Sequence, residues 1–141
     1  MNGAELQELI DRYNAAWNAH DVDAIVAMHA PGMVFHNHTA GESVEGDAVG
    51  EHIASIFRTW PDIAFETQRL YVRDGLVAQE WRATATHSAQ MTRGDLVAEP
   101  TGRTISWEGV DVMPFDDDGL LLRKDVYSDS VGILRQLGLL G

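Results

Sequence analysis

Several side chains in this sequence sit where they could handle protons. Asp129 stands just after the last apolar stretch, two residues beyond Tyr127 and on the same alternation, and a carboxylate there could take a proton from carbon. Asp111 falls on the alternation of Ile105, Trp107, Met113 and Phe115, which marks the inward, apolar face of a strand. Burial disfavours the charged form of a carboxyl group, so Asp111 is expected to become a hydrogen-bond donor for a developing oxyanion. Tyr13 places a phenol on the apolar stripe of the first helix. His87 ends a run whose alternate positions are Trp81, Ala83 and Ala85, a large aromatic beside small residues, as a pocket wall requires. Asn37 alternates with Met33 and Phe35, so its amide should point inward, to protein or to a ligand carbonyl. Phe35, Trp81, Trp107, Met113 and Tyr127 complete the expected substrate-binding surface.

Each of these has a plainer use. Asp129 and Ser130 could cap a helix, Asp111 could bond to a backbone amide or an Arg, Tyr13 could be a core residue, and His87 could be a satisfied structural histidine. His36 and His38 share one strand face in a His-x-His pattern that can chelate a metal, but no carboxylate stands at a recognisable spacing from them, so no metal site is expected. Asp125, beside Arg123 and Lys124, reads as a member of a surface ion pair.

Elements must position these groups. Leu6, Leu9, Ile10, Tyr13, Ala16 and Trp17 form one helical stripe; Asp21 can cap a second short helix from Val22 to His29, stopped by Pro31-Gly32. Met33 to His38 reads as a strand, Gly41 to Gly46 as loop, and Asp47 as the start of a third helix ended by Pro61. After Ile63 the period becomes strand-like. Asp74-Gly75 marks a hairpin turn, the return strand runs from Leu76 to about His87, and Ser88 to Gly102 is looser. Arg103 to Phe115 is a further strand, Asp116 to Gly119 a turn, and Leu120 opens the last strand. The amphipathic helix from Val131 to Gly138 is placed to cover a cavity mouth. Helices first and a meander afterwards imply an α+β fold, a curved antiparallel sheet wrapped around N-terminal helices, in one domain over residues 1–141.

The totals agree. A chain of 141 residues is one domain by its length, and a net charge of −12 repels phosphate backbones and anionic lipid surfaces, so neither nucleic acid nor a membrane is an expected partner. The absence of cysteine removes disulfides, thiolate metal sites and a thiol nucleophile together. With no recognisable leader or spanning segment, a cytoplasmic location is the default expectation.

The order of pieces is more specific than any one of them. Arg12 to Asp23, Val34-Phe35-His36-Asn37, Trp60-Pro61-Asp62, Ala85-Thr86-His87, Pro100-Thr101-Gly102-Arg103 and Tyr127-Ser128-Asp129 leading to Leu134 to Gly138 together resemble the SnoaL-like polyketide cyclases of the nuclear-transport-factor-2-like cone fold. That resemblance implies a cofactor-free enzyme acting by acid/base chemistry on a small hydrophobic, carbonyl-bearing molecule, with Asp129 as the acid/base aspartate and homodimerisation as the common assembly. Steroid isomerases share the fold, and Tyr13 and Asp111 match their oxyanion donors. At the position of the isomerase's base this chain has Asn37, an amide without useful basicity. An isomerase, a hydratase and a non-catalytic binding module remain the alternative expectations. Limonene-epoxide hydrolases need an Arg and an Asp where this chain has Trp81 and Ala83.

Overall fold

A computed structural model describes residues 1–140. Helix α1 (Gly3–Asn18) starts at Asn2, whose side chain accepts the Glu5 amide, and buries Leu6, Ile10, Tyr13 and Trp17. Helix α2 (Val22–Val26) is capped by Asp21, as its sequence suggests, but ends three residues earlier than expected because the chain enters strand β1 (His29–Asn37) at once. The segment expected as loop before the third helix contains a short strand, β2 (Glu42–Glu45), paired antiparallel with β1. Helix α3 (Ala48–Thr59) follows and buries Val49 and Ile53.

Strands β3 (Ala64–Arg73) and β4 (Leu76–Thr86) form a long hairpin whose turn is Asp74-Gly75, both at positive φ (51° and 77°). Two left-handed residues in sequence are what a tight two-residue hairpin needs, which explains the Asp-Gly pair. The looser segment after β4 holds a small separate hairpin, β5 (Met91–Arg93) and β6 (Leu96–Ala98). Strand β7 (Thr104–Pro114) pairs with β4 along its whole length and with β8 (Leu121–Ser128) over part of it, and α4 (Ser130–Gln136) ends the fold.

The main sheet has the order β2-β1-β8-β7-β4-β3. It is antiparallel except at one place: β1 runs parallel to β8, so the chain's first and last strands lie side by side. The sheet's inner face and helices α1 and α3 enclose one core, in which Ile10, Tyr13, Ile53, Val77, Met113, Leu121 and Ile133 are fully or almost fully buried. Helix α4, expected from its apolar stripe to cover a mouth, contributes no residue to a cavity lining. It packs against β7 where β8 has stopped pairing, and the Gln136 side chain bonds to both the carbonyl (2.6 Å) and the amide (3.0 Å) of Ser106. A side-chain amide thereby replaces a missing strand neighbour, and Ile133 and Leu137 seal that end of the core. Among the described residues no helix is long and apolar enough to cross a membrane.

Candidate active site

Between α1, α3 and the concave face of the sheet lies a cavity of about 280 Å³. Aromatic side chains make most of its wall: Trp17 from α1, Phe35 from β1, Trp60 after α3, Phe65 from β3, Trp81 from β4 and Trp107 from β7. Strand alternation delivers them. On β4 the buried positions are Val77, Gln79, Trp81, Ala83 and Ala85, and on β7 they are Ile105, Trp107, Asp111 and Met113. Between Trp107 and Asp111 stands Gly109, directly opposite Trp81 in the register. A Cβ at Gly109 would lie 2.6 Å from Cη2 of Trp81, so glycine is what lets the indole cross β7 and lie beside Asp111.

At the base of this aromatic chamber are two charged side chains. Asp111 and Lys124 are 4% and 6% exposed, and Nζ of Lys124 lies 3.7 Å from Oδ2 of Asp111. They are diagonal neighbours on the inner face, since Asp111 sits opposite Val126 and Lys124 precedes Val126 by two residues. The ammonium is boxed by π faces, 3.9 Å from the Trp17 ring centroid, 4.9 Å from that of Tyr13 and 5.6 Å from that of Phe35. Burial pushes the Asp111 carboxyl above the usual carboxylate range against the pull of Lys124. Burial likewise pushes Lys124 below an ordinary lysine, against the pull of Asp111. Burial thus narrows the ordinary gap in proton affinity between the two groups.

Hydrogen-bonding capacity surrounds it. The indole Nε1 atoms of Trp17 and Trp81 are buried without a hydrogen-bond partner, and both residues line the cavity. Each nevertheless has a protein oxygen close by, the Asp111 carboxyl beside the Trp81 indole and the Tyr13 hydroxyl beside the Trp17 indole. Along the same wall, Asn14, Gln79 and Thr67 form a closed set, with Asn14 Nδ2 donating to Gln79 Oε1 (2.6 Å), Gln79 Nε2 donating to Asn14 Oδ1 (3.0 Å) and the Thr67 hydroxyl donating to Gln79 Oε1 (3.2 Å). Farther out, Glu42 from β2, His52 from α3 and Arg93 from the β5–β6 hairpin add polar groups to the lining.

Of the residues singled out in the sequence, Phe35, Asn37, Trp81, Trp107 and Asp111 line this cavity. Asn37 does so with its amide oxygen already engaged, accepting the Ala40 amide at 3.0 Å. Tyr13 is fully buried behind Trp17, hydrogen-bonded to Nε2 of His29 at 3.0 Å, and burial raises its pKa far enough to keep the phenol protonated. His29 is held neutral, its pKa lowered to about 4 by burial and by Lys124. His87 lies behind Trp60, where its Nδ1 accepts the Thr101 amide at 3.1 Å, and it does not reach the cavity. Met113 is core.

Tyr127 and Asp129 do not line the cavity. The inward positions of β8 are Lys124 and Val126, which turns Asp125 and Tyr127 outward, and Tyr127 is 47% exposed. Asp129 is exposed, and its carboxylate caps α4 by accepting the Gly132 amide at 2.8 Å. The expected base is thus not among the residues that line the cavity. Lys124 is a cavity residue that sequence reasoning missed; it shares the alternation of buried Val126 and is the chain's single lysine beside nine arginines, and those two signals together mark it.

Outside the cavity, the parallel register puts His36 opposite Asp125, so the carboxylate missing from the His36–His38 neighbourhood in sequence is supplied by the adjacent strand. Ligand atoms of His36, His38 and Asp125 lie within 4.8 Å of one another. Asp125 is already bound to Arg123 (3.1 and 2.8 Å) and to His38 (2.8 Å), and Arg123 and His38 hold its carboxyl down at about 2. This is the ion pair expected for Asp125, made with Arg123 rather than with Lys124.

Comparison with known proteins agrees with the geometry. AclR from Streptomyces galilaeus, a candidate hydroxylase, superposes with a TM-score of 0.84 at 24% identity over 99% of this chain and 89% of its own. A candidate SnoaL-like polyketide cyclase from Jannaschia sp. CCS1 gives 0.83 at 16% identity, over 96% and 92% of the two chains. IdmH from Streptomyces antibioticus, a candidate polyketide cyclase, gives 0.76 at 26% identity, over 94% and 98%. No curated protein matches by sequence. The sequence pattern of the SnoaL-like domain matches residues 10–123, most of the chain, ending before the β8 lining residues Lys124, Val126 and Ser128, and the chain belongs to the SnoaL-like domain family.

Proposed function

We propose that this SnoaL-like protein is an acid/base enzyme of polyketide-cyclase type, acting on a small hydrophobic molecule that carries a carbonyl group. The observation that supports this reading above all is Asp111, a carboxyl group buried against Lys124 at the base of an aromatic cavity. Aromatic walls suit a flat, conjugated or polycyclic body. In its carboxylate form Asp111 would take a proton from the carbon next to the carbonyl. The Lys124 ammonium, boxed by Trp17 at the cavity base, would hold the enolate oxygen. The enolate carbon then attacks a second carbonyl of the same molecule, a carbon–carbon bond forms, and the new alkoxide takes up the proton. General base catalysis of this kind contributes typically ~10²–10⁴-fold, and each well-placed oxyanion donor adds roughly 3–4 kcal/mol. The likeness to IdmH supports the same class.

The test uses 2-tetralone, a bicyclic ketone of suitable size and shape. In D₂O the protein is expected to speed exchange of the protons next to the carbonyl, read by NMR, well above buffer. Thermal stabilisation by the ketone without any acceleration of exchange would make the protein a binding module instead.

A further inference from the structure

Lys124 is the only lysine in a chain with nine arginines, and it is buried in the interior at the cavity base. A residue needed there for positive charge alone would be served by a guanidinium, which stays protonated under burial and stacks well on aromatic rings. What lysine offers beyond that is an amine that can lose its proton and attack. Its surroundings fit that use. Nζ is at the cavity base, 3.7 Å from a carboxyl oxygen that can accept the proton, and packed against the Trp17, Tyr13 and Phe35 rings. The titratable groups around it are Asp111 on β7, Tyr13 on α1 and His29 on β1; Tyr13 and His29 are neutral at pH 7, so Asp111 is the one group there that exchanges a proton with it.

We propose that Lys124 is an amine nucleophile that forms a Schiff base with the carbonyl carbon of a ligand in the aromatic cavity, Asp111 serving as its proton partner. The pair reacts in its neutral form, amine and carboxylic acid. The amine nitrogen attacks the carbonyl carbon, the C–N bond forms, and a proton passes from nitrogen to the former carbonyl oxygen. Asp111 then protonates that hydroxyl, the C–O bond breaks, water leaves, and the iminium cation remains beside the Asp111 carboxylate. The same carboxylate can remove a proton from the adjacent carbon to give an enamine, a carbon nucleophile equivalent to an enolate. Hydrolysis reverses these steps and frees Lys124. The covalent step goes beyond the acid/base reading while sharing its cavity and ligand class.

The experiment is reductive trapping. Protein is incubated with 2-tetralone and sodium cyanoborohydride, and intact mass and peptide maps are taken. The expected product is one adduct per chain, heavier by the ketone less its oxygen atom, located at Lys124 and absent from Lys124→Arg. Because the only other amine is the N-terminus, wild-type maps decide the matter even if the variant folds poorly. Modification at Met1 alone, or none, overturns the covalent proposal. If the ketone still raises the melting temperature in that case, the cavity and its ligand class stand; if it does not, the functional reading falls with it.

Discussion

The Lys124 ammonium and the Asp111 carboxyl lie 3.7 Å apart in the interior, bridging neighbouring strands on one sheet face. Breaking such a buried pair leaves one uncompensated group and costs about 3–5 kcal/mol, whereas replacing both members by apolar residues is often neutral or stabilising by about 1–4 kcal/mol. Lys124→Met is therefore expected to destabilise by that first amount, and Lys124→Met combined with Asp111→Leu to recover most of it or more. Urea unfolding of the three variants measures this. A double variant no more stable than Lys124→Met would mean that the pair is needed for folding.

Gly109 makes room for the Trp81 indole. Gly109→Ala should force the ring off its seat at an overpacking cost of about 1–3 kcal/mol. The expected signature is a changed near-ultraviolet circular dichroism spectrum together with weakened 2-tetralone binding. An unaltered spectrum would show that the indole does not depend on that gap.

Asp129 caps α4 from outside the cavity. Asparagine caps a helix about as well as aspartate, while alanine costs about 0.5–2 kcal/mol. Asp129→Asn should leave stability and catalysis close to wild type, and Asp129→Ala should lower the melting temperature. Differential scanning calorimetry and the exchange assay separate the two roles.

His29 titrates at about 4 in the folded protein, against 6.5 ordinarily. Between those values the unfolded chain binds more protons than the folded one, so this histidine makes stability rise with pH across the window and fall as pH drops from 6.5 to 4. The stability difference between wild type and His29→Gln should change in that interval and level off on either side. Urea midpoints taken at intervals of pH would reveal it, and a constant difference would contradict the neutral, buried imidazole.

Much of this architecture is written in local pattern. The stripe from Leu6 to Trp17, the Asp74-Gly75 turn and the inward alternation of Trp107, Asp111 and Met113 are each set by neighbours in the chain, and each is seen. What local pattern does not carry is the partner strand. The β1–β8 parallel pairing joins residues some ninety positions apart, and it decides that Phe35 lies beside Lys124 and His36 beside Asp125. The last strand shows the consequence. Three polar or phenolic residues, Asp125, Tyr127 and Asp129, draw attention to one alternation, yet Val126 and its neighbour Lys124 take the inward face, because a lone lysine next to Asp111 can be buried with a counter-charge.

In the proposed reaction Asp111 is the group that moves the proton inside the cavity. The most direct measurement is the rate of 2-tetralone deuterium exchange for Asp111→Asn and Asp129→Asn side by side, on variants whose folding is checked by circular dichroism. Asp111→Asn is expected to lose at least ~10²-fold, the usual weight of a general base, and Asp129→Asn to keep the wild-type rate. Exchange undiminished in Asp111→Asn, or abolished in Asp129→Asn, would contradict it.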